Sequence, residues 1–172
     1  MSRDTASFSV LCAVVLSACA GPPNATVDLG LPTRDDFPTV SRTLETHCGT
    51  LDCHGGPARS LRVYSVYGLR AAADCVPGNP DTTTLDVDST FDSVLALDPE
   101  GLRSIMISDD VDPRTWLLLA KARGLIAHKG GAPLAAGSPG QRCILSWARG
   151  QLDQPACLND VLGPVPRDGD TW

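Results

Sequence analysis

Residues 47–56 read His-Cys-Gly-Thr-Leu-Asp-Cys-His-Gly-Gly and hold the most specific chemistry in this chain of 172 residues. Cys53 is followed at once by His54, and a second cysteine, Cys48, precedes them. Thiols and an imidazole placed this close in sequence are groups that bind metals or cofactors. If these residues form a site, the fold must bring further groups to this stretch.

Two cysteines followed directly by a histidine are the pattern that holds a c-type haem. The thiols bond to the porphyrin, and the imidazole takes one axial position on the iron. Two residues separate the cysteines in the usual motif, whereas four separate Cys48 from Cys53 here. The longer spacing requires Gly49 to Asp52 to bulge, and glycine tolerates the backbone angles of a bulge. We predict that Cys48, Cys53 and His54 bind haem c.

The N-terminus carries an export pattern. Arg3 is followed by an apolar run over residues 8–16 and by Leu16-Ser17-Ala18-Cys19, which resembles a bacterial lipoprotein signal. The run is shorter than the roughly 20 residues that a membrane-spanning helix needs. The resemblance implies that residues 1–18 are removed and that a lipid on Cys19 anchors the chain to a membrane outside the cytoplasm. Ala20 favours the outer membrane, with the domain most simply on its periplasmic face.

Composition divides the rest of the chain into three parts. Residues 19–36 are rich in Pro, Gly, Thr and Asp, which predicts a flexible linker. Residues 37–152 form the predicted domain, and residues 153–172 a loop-like C-terminal tail. The net charge is -6 and no cluster of Lys and Arg stands out, so we expect no nucleic-acid partner.

Helical periodicity recurs through the domain. Phe37, Val40 and Leu44 recur at spacings of three and four, which predicts a helix that runs into His47. Further helices are predicted over residues 91–97, 113–124 and 138–150. The alternation typical of strands is rare. We therefore predict an all-α domain of three to five short helices joined by long loops.

Apart from the signal, the lipid-anchored Cys19 and the motif, three cysteines remain, namely Cys75, Cys143 and Cys157. An exported chain can form disulfides. Cys143 and Cys157 flank the last predicted helix and the loop after it, so we predict a disulfide between them, although Cys75 could compete for either. Closing a loop of about 15 residues contributes on the order of 3 kcal/mol. The two motif cysteines could instead form a local disulfide or pair with these three, which would leave the motif histidine on the surface.

The order of these parts resembles a small c-type cytochrome domain. Four stretches are similar to cytochrome c-like lipoproteins of environmental bacteria: residues 48–70, which include His54-Gly55-Gly56 and Gly68-Leu69-Arg70, residues 116–121, His128-Lys129-Gly130-Gly131 and Ser146-Trp147. The similarity covers about residues 38–151. It implies a cytochrome c-like fold with one covalent haem c, which passes electrons to a redox partner protein.

A second axial ligand for the iron could come from three side chains. His128 lies in a glycine-rich loop between two predicted helices, from which a side chain can reach the far face of the ring. Met106 as a ligand would raise the redox potential, or it packs in the core. We favour His128 over Met106. His47 adjoins Cys48 on the side of the ring where the haem would be attached, so its side chain could not plausibly reach the opposite face. Alternatively, the sixth coordination position of the iron could be open, which would permit small ligands to bind.

The sequence also offers alternatives to haem binding. The motif residues with a fourth ligand such as His128 could form a tetrahedral zinc site, but exported thiols are readily oxidised. Residues 109–112 are acidic but lack the pattern of a calcium loop, and a helix start explains them better. No nucleophile and base are paired, so we expect no enzyme. The rival is a non-haem, disulfide-stabilised envelope lipoprotein that acts as a structural or interaction module.

Overall fold

In the computed structural model of the protein, residues 32–78, 80–107, 110 and 112–162 are described. Over these ranges the chain forms helices and loops without a β-strand, which confirms the all-α class expected from the sequence. The predicted signal, the predicted lipidation site Cys19 and most of the predicted linker lie outside the described residues.

Six α-helices follow one another in the described ranges, one more than the largest number predicted. They are α1 (Phe37–Cys48), α2 (Thr84–Leu97), α3 (Pro99–Ile107), α4 (Leu117–Ala122), α5 (Pro139–Ala148) and α6 (Gln154–Leu162). A 3-10 turn, Pro113–Thr115, precedes α4. Within the described part of the chain, no helix has the length and apolar character needed to cross a bilayer.

The first helix forms the centre of the core. Phe37, Val40 and Leu44 lie on one face of α1 and are buried. The ring of Phe37 packs edge-on against Phe91 of α2, with 5.1 Å between the ring centroids. It also packs against Trp147 of α5, at 5.0 Å. The spacing of three and four in the sequence is therefore the face of α1 that contacts α2 and α5.

The chain after α5 forms a further helix where the sequence predicted a loop-like tail. Residues Gln154–Leu162 form α6, which packs against α1 and α5. Pro155 lies in the first turn, where its missing N–H is not needed. The carboxylate of Asp153 accepts a hydrogen bond from the N–H of Ala156 at 3.0 Å. Proline therefore starts this helix instead of preventing it, and the domain includes α6.

Two long-range contacts fasten α6 to the domain. A disulfide joins Cys143 of α5 to Cys157 of α6, while Cys75 is a free thiol. At the end of α1, Nε2 of His47 lies 3.0 Å from Oδ2 of Asp160. The last helix is thus tied both to α5 and to the helix that carries the motif.

The last residues of the predicted linker belong to the domain. Arg34 donates hydrogen bonds to Asp88 at 2.9 Å and to Asp92 at 2.6 Å, both in α2. The carbonyl of Thr33 accepts a hydrogen bond from Nε1 of Trp147 at 2.9 Å. The packed domain therefore begins before α1, and the linker is shorter than predicted.

Two helices start differently from the prediction. The second helix begins at Thr84 rather than at residue 91, because Thr83 and Asp86 form a capping box that satisfies the first backbone N–H groups. The helix predicted from residue 113 is divided. Trp116, in an extended conformation, separates the 3-10 turn from α4.

One carboxylate joins α3 to α4. Asp98 accepts hydrogen bonds from the N–H of Gly101 at 3.0 Å and from the N–H of Leu117 at 2.8 Å. It therefore caps the first turn of both helices. The sequence predicted that Pro99 and the residues after it stop the preceding helix. The stop is followed at once by α3, because proline is tolerated in the first helical turn.

A buried ion pair orders the long loop between α1 and α2. Arg70 donates to Asp86 at 2.9 Å, and the two side chains are 2% and 0% exposed. Arg70 also donates to the backbone oxygens of Val76, Pro80 and Asp81. Burial by itself raises the pKa of Asp86, but the hydrogen bonds from Arg70 and from nearby backbone N–H groups outweigh it. The pKa of Asp86 therefore lies below its usual value.

Replacing Asp86 with asparagine should lower the free energy of unfolding by about 3 to 5 kcal/mol, because the guanidinium of Arg70 would stay buried without its counter-charge. Denaturant titration followed by circular dichroism measures this loss. The matched control is Asp88→Asn, which removes an exposed partner of Arg34 and should cost no more than about 1 kcal/mol.

The loss should also depend on pH. Because the pKa of Asp86 is lowered in the folded state, its stabilising contribution is present above its ordinary value of 3.8 and is lost as the pH falls through the folded value. Wild type and the Asp86→Asn variant should therefore converge in stability in that acidic range. Equal stability of the two proteins at neutral pH would contradict the role of the ion pair.

Candidate functional site

The four residues between the motif cysteines fold into a compact turn. The N–H groups of Cys53 and Gly55 both donate to the carbonyl of Thr50 at 2.9 Å. The N–H of His54 donates back to the carbonyl of Cys48, also at 2.9 Å. The longer spacing therefore returns the chain to the end of α1 before the histidine.

Glycines allow three backbone segments to meet at the carbonyl of Gly49. A β-carbon on Gly55, or one on Gly68, would overlap the Gly49 oxygen. Only residues without a side chain fit at this distance. The N–H of Leu69 donates to the Gly55 carbonyl at 2.7 Å, and the hydroxyl of Ser65 lies 3.4 Å from the Gly49 oxygen. The loop that carries the motif histidine is therefore closely packed.

Both motif cysteines are free thiols. Cys48 is 7% exposed, whereas Cys53 is half-buried. Burial, with a smaller contribution from Cys53, raises the pKa of Cys48 to about 12. A thiol with this pKa is protonated at neutral pH and reacts slowly with disulfides and oxidants.

His54 and His128, far apart in sequence, lie next to each other. Their ring centroids are 5.9 Å apart and their planes differ by 16°. Nδ1 of His54 lies 3.0 Å from the carbonyl oxygen of Leu61, and Nδ1 of His128 lies 3.0 Å from that of Gly131. Because a carbonyl only accepts hydrogen bonds, Nδ1 is the donor in both rings, and Nε2 is the nitrogen left to bind a metal in the neutral form of each ring. A hydrogen bond from the ring nitrogen that does not bind the metal is the feature that fixes the orientation of metal-binding histidines.

The surroundings of His54 favour its neutral form. Burial lowers its pKa below the usual value, the hydrogen bond to Leu61 opposes this, and the neighbouring His128, Arg59 and Lys121 lower the pKa further. A neutral imidazole is the form that binds metals. His54 is therefore ready to act as a ligand at neutral pH.

A short helix and a glycine-containing turn carry His128. The turn follows α4, and the N–H of Leu134 donates to the carbonyl of Ala122 at its base, at 3.0 Å. Gly131 has a φ of 71°, a left-handed conformation that favours glycine. The turn thus directs His128 back over α4 toward the motif loop.

Two adjacent cavities, of about 380 and 490 Å³, border the histidine pair. His54, Arg59 and Lys129 line both of them, so the cavities adjoin around His54. The motif cysteines are divided between the two, with Cys48 in the smaller cavity and Cys53 in the larger. Each volume is in the range of ordinary ligand pockets.

The smaller cavity combines apolar walls with cations. Its leucines are Leu44, Leu61, Leu97, Leu117 and Leu118. Its charged side chains are Arg59, Lys121 and Lys129, and no acidic side chain lines it in the described structure. These two lysines are the only ones in a chain whose net charge is -6. Such a cavity suits a ligand with an apolar body and carboxylate groups.

The other ligands considered from the sequence lie elsewhere. Met106 packs against the hydrophobic core from α3 and lines neither cavity. His47 contacts Asp160. In the acidic stretch, Asp112 accepts a hydrogen bond from the N–H of Arg114 at the start of the 3-10 turn. No group of three or more His, Cys, Asp or Glu among the described residues could hold a metal ion. A tetrahedral zinc site requires such a group, whereas a porphyrin supplies four nitrogens itself.

The sequence did not predict several groups of this site. The carbonyls of Leu61 and Gly131, which fix the two rings, belong to the backbone and leave no sequence pattern. No sequence pattern marked Arg59, Lys121 and Lys129 as residues of a site. The scarcity of lysine was the available clue, since both lysines of the chain lie here.

Comparison of the chain with protein-family models, with curated proteins and with solved structures finds no match. The residues and the geometry of the site are therefore the basis for its proposed function.

Replacing Gly55 with alanine should destabilise the motif loop, because the added methyl group would overlap the oxygen of Gly49. Overpacking of this kind typically costs about 1 to 3 kcal/mol, which chemical denaturation measures. Gly137→Asn is the matched control. Gly137 has a φ of 73° and open space around it in the described structure, and asparagine tolerates this conformation. An unchanged stability of Gly55→Ala would contradict the close packing at Gly49.

Proposed function

We propose that the protein is a membrane-anchored electron-transfer protein that binds one haem c. In this proposal Cys48 and Cys53 form the thioether bonds, and His54 and His128 are the axial ligands of the iron. The observation that carries the proposal is the approach of the two imidazoles, with nearly parallel planes and with Nδ1 of each ring bonded to a backbone carbonyl.

The distance between the rings supports a shared metal ion. A bond between a metal and an imidazole nitrogen is about 2.0 to 2.1 Å long, so two imidazoles on opposite sides of one ion have centroids roughly 6 Å apart. The separation between His54 and His128 is 5.9 Å. Unligated aromatic rings also pair with their centroids about 4.5 to 7 Å apart. The separation thus leaves room for an ion, and the thiols and cavities around the pair carry the rest of the argument.

The surroundings of the pair support haem rather than a bare ion. Each of the two thiols lines one of the two cavities that His54 borders, and both belong to the same motif as this histidine. The apolar walls suit the porphyrin ring. The cations of Arg59, Lys121 and Lys129 complement the two carboxylates that a haem carries. Each chemical part of a haem c thus has a counterpart among the residues of this region.

The groups of the chain have separate tasks in this proposal. The carbonyls of Leu61 and Gly131 orient the imidazoles, and the leucines of the smaller cavity exclude water. When bound, haem supplies an iron that gains and loses one electron. His54 and His128 would hold this iron from two separate parts of the chain, and an iron bound by two imidazoles suits electron transfer.

The location and partner are part of the same proposal. The Leu16-Ser17-Ala18-Cys19 stretch supports export and a lipid anchor at Cys19, on the periplasmic face of the outer membrane. The anchor confines the haem domain near the membrane surface. Its partner is a redox protein that exchanges electrons there.

A disulfide-stabilised envelope module without haem is the second candidate. The bridge between Cys143 and Cys157 favours it, because this bridge stabilises the domain without any cofactor. In that case the site between His54 and His128 would hold no haem, and the protein would act through contacts with other envelope components.

Expression of the full chain with a cytochrome c maturation system should give a protein with a Soret band and the added mass of one haem. The mass should persist after denaturation, because the thioether bonds are covalent. The double variant Cys48→Ala/Cys53→Ala should lose it. The control Cys75→Ala should keep it, since Cys75 is a free thiol that lines neither cavity.

Absorption spectra and mass spectra of the denatured proteins separate the two candidates. A folded wild-type protein with neither a Soret band nor the haem mass would contradict haem binding and favour the envelope module.

A further inference from the structure

The chain holds His54 firmly. Its N–H donates to the carbonyl of Cys48 at 2.9 Å, and its carbonyl accepts a hydrogen bond from the N–H of Val63 at 2.9 Å. The next residue, Gly55, is buried, and its carbonyl accepts a hydrogen bond from Leu69 at 2.7 Å. Three separate segments of the chain therefore bond to the backbone at and beside this histidine.

The chain holds His128 through a turn whose backbone bonds to α4 at its two ends, where the N–H of Leu125 donates to the carbonyl of Ala120 at 2.9 Å and the N–H of Leu134 to that of Ala122 at 3.0 Å. Nδ1 of His128 lies 3.0 Å from the carbonyl oxygen of Gly131, and the N–H of Gly131 donates to the carbonyl of His128 at 3.0 Å. All residues from 124 to 132 except His128 are exposed. Lys121 reaches the carbonyl of Ala127 at 3.4 Å, near the limit for a hydrogen bond. Exposed segments with few buried contacts open at a low cost in free energy.

We propose that His128 is a displaceable ligand, and that the position it leaves binds a small exogenous ligand of haem iron, of the class of carbon monoxide and cyanide. This inference rests on the haem binding proposed above. Residues 124–132 open as a unit while His54 stays in place. The position borders the smaller cavity, whose apolar side chains, such as Leu117 and Leu118, cannot replace the lost imidazole. The amines of Lys121 and Lys129 are the groups of this cavity that would compete with an exogenous ligand.

The kinetics of carbon monoxide binding to the reduced, haem-loaded protein test this proposal. The observed rate should reach a plateau as the concentration rises, because opening of the turn must precede binding. In His128→Ala the plateau should disappear, and binding should be at least roughly tenfold faster at high concentration. The ferric protein should bind cyanide with the same dependence on His128.

Two glycines provide a matched pair of variants. Gly131 and Gly137 have φ values of 71° and 73° and open space around them, so alanine strains both positions to a similar degree. Only Gly131 lies in the turn that holds His128. Gly131→Ala should therefore raise the plateau rate severalfold, and Gly137→Ala should leave it unchanged.

Hydrogen exchange of the full chain without haem gives a readout that does not depend on the cofactor. The amides of Leu125 and Gly131 should exchange at least roughly tenfold faster than those of His54 and Leu69, because the turn opens without the motif loop. Equal protection of the two regions would overturn the proposed difference between the two ligands.

The outcomes also separate this inference from the one on which it rests. Absence of the haem mass would contradict haem binding itself and remove both proposals. A haem-loaded, low-spin wild type that binds neither carbon monoxide nor cyanide would overturn only the displaceable ligand. If Lys121 or Lys129 bound the iron after His128 left, carbon monoxide and cyanide would not bind, and this would also overturn only the displaceable ligand. Saturating kinetics in His128→Ala like those of the wild type would overturn it as well.

Discussion

The close approach of Gly49, Gly55 and Gly68 is the constraint on which the candidate site depends. Because none of these residues has a side chain, the loop after α1 can fold back onto its own start. The N–H of His54 then reaches the carbonyl of Cys48, although four residues separate the two cysteines. A motif lengthened in this way still keeps its histidine beside the end of the helix. The packing of backbone on backbone, rather than the usual spacing, gives the loop its shape.

The rest of the fold supports the two sides of the site to different degrees. The ion pair of Arg70 and Asp86 orders the loop that packs behind the motif, and it is buried. On the other side, Asp98 fixes the start of α4, but the turn beyond this helix is exposed. One histidine is therefore held by the core of the domain and the other by a surface turn. This asymmetry is the physical basis of the proposed displacement of His128 from a haem that His54 continues to hold.

Local patterns predicted the fold where a single segment decides it. Val40 and its neighbours at spacings of three and four predicted α1, and Ser138 before a proline predicted α5. Pro155 was misinterpreted because a proline in the first turn of a helix looks the same in sequence as a proline in a loop. The sequence also led to His54 and His128. It could not give the carbonyls that orient them or the cations around them, because those contacts join segments that are distant along the chain.

The spin state of the ferric iron tests most directly whether His54 and His128 bind the same ion. Electron paramagnetic resonance of the haem-loaded wild type should show a low-spin signal, because two imidazoles give a strong axial field. His128→Ala should convert it to high spin, and Met106→Ala should leave it low-spin, since Met106 lines neither cavity. A low-spin signal that survives in His128→Ala but is lost in Met106→Ala would contradict the account and assign the second ligand to the methionine.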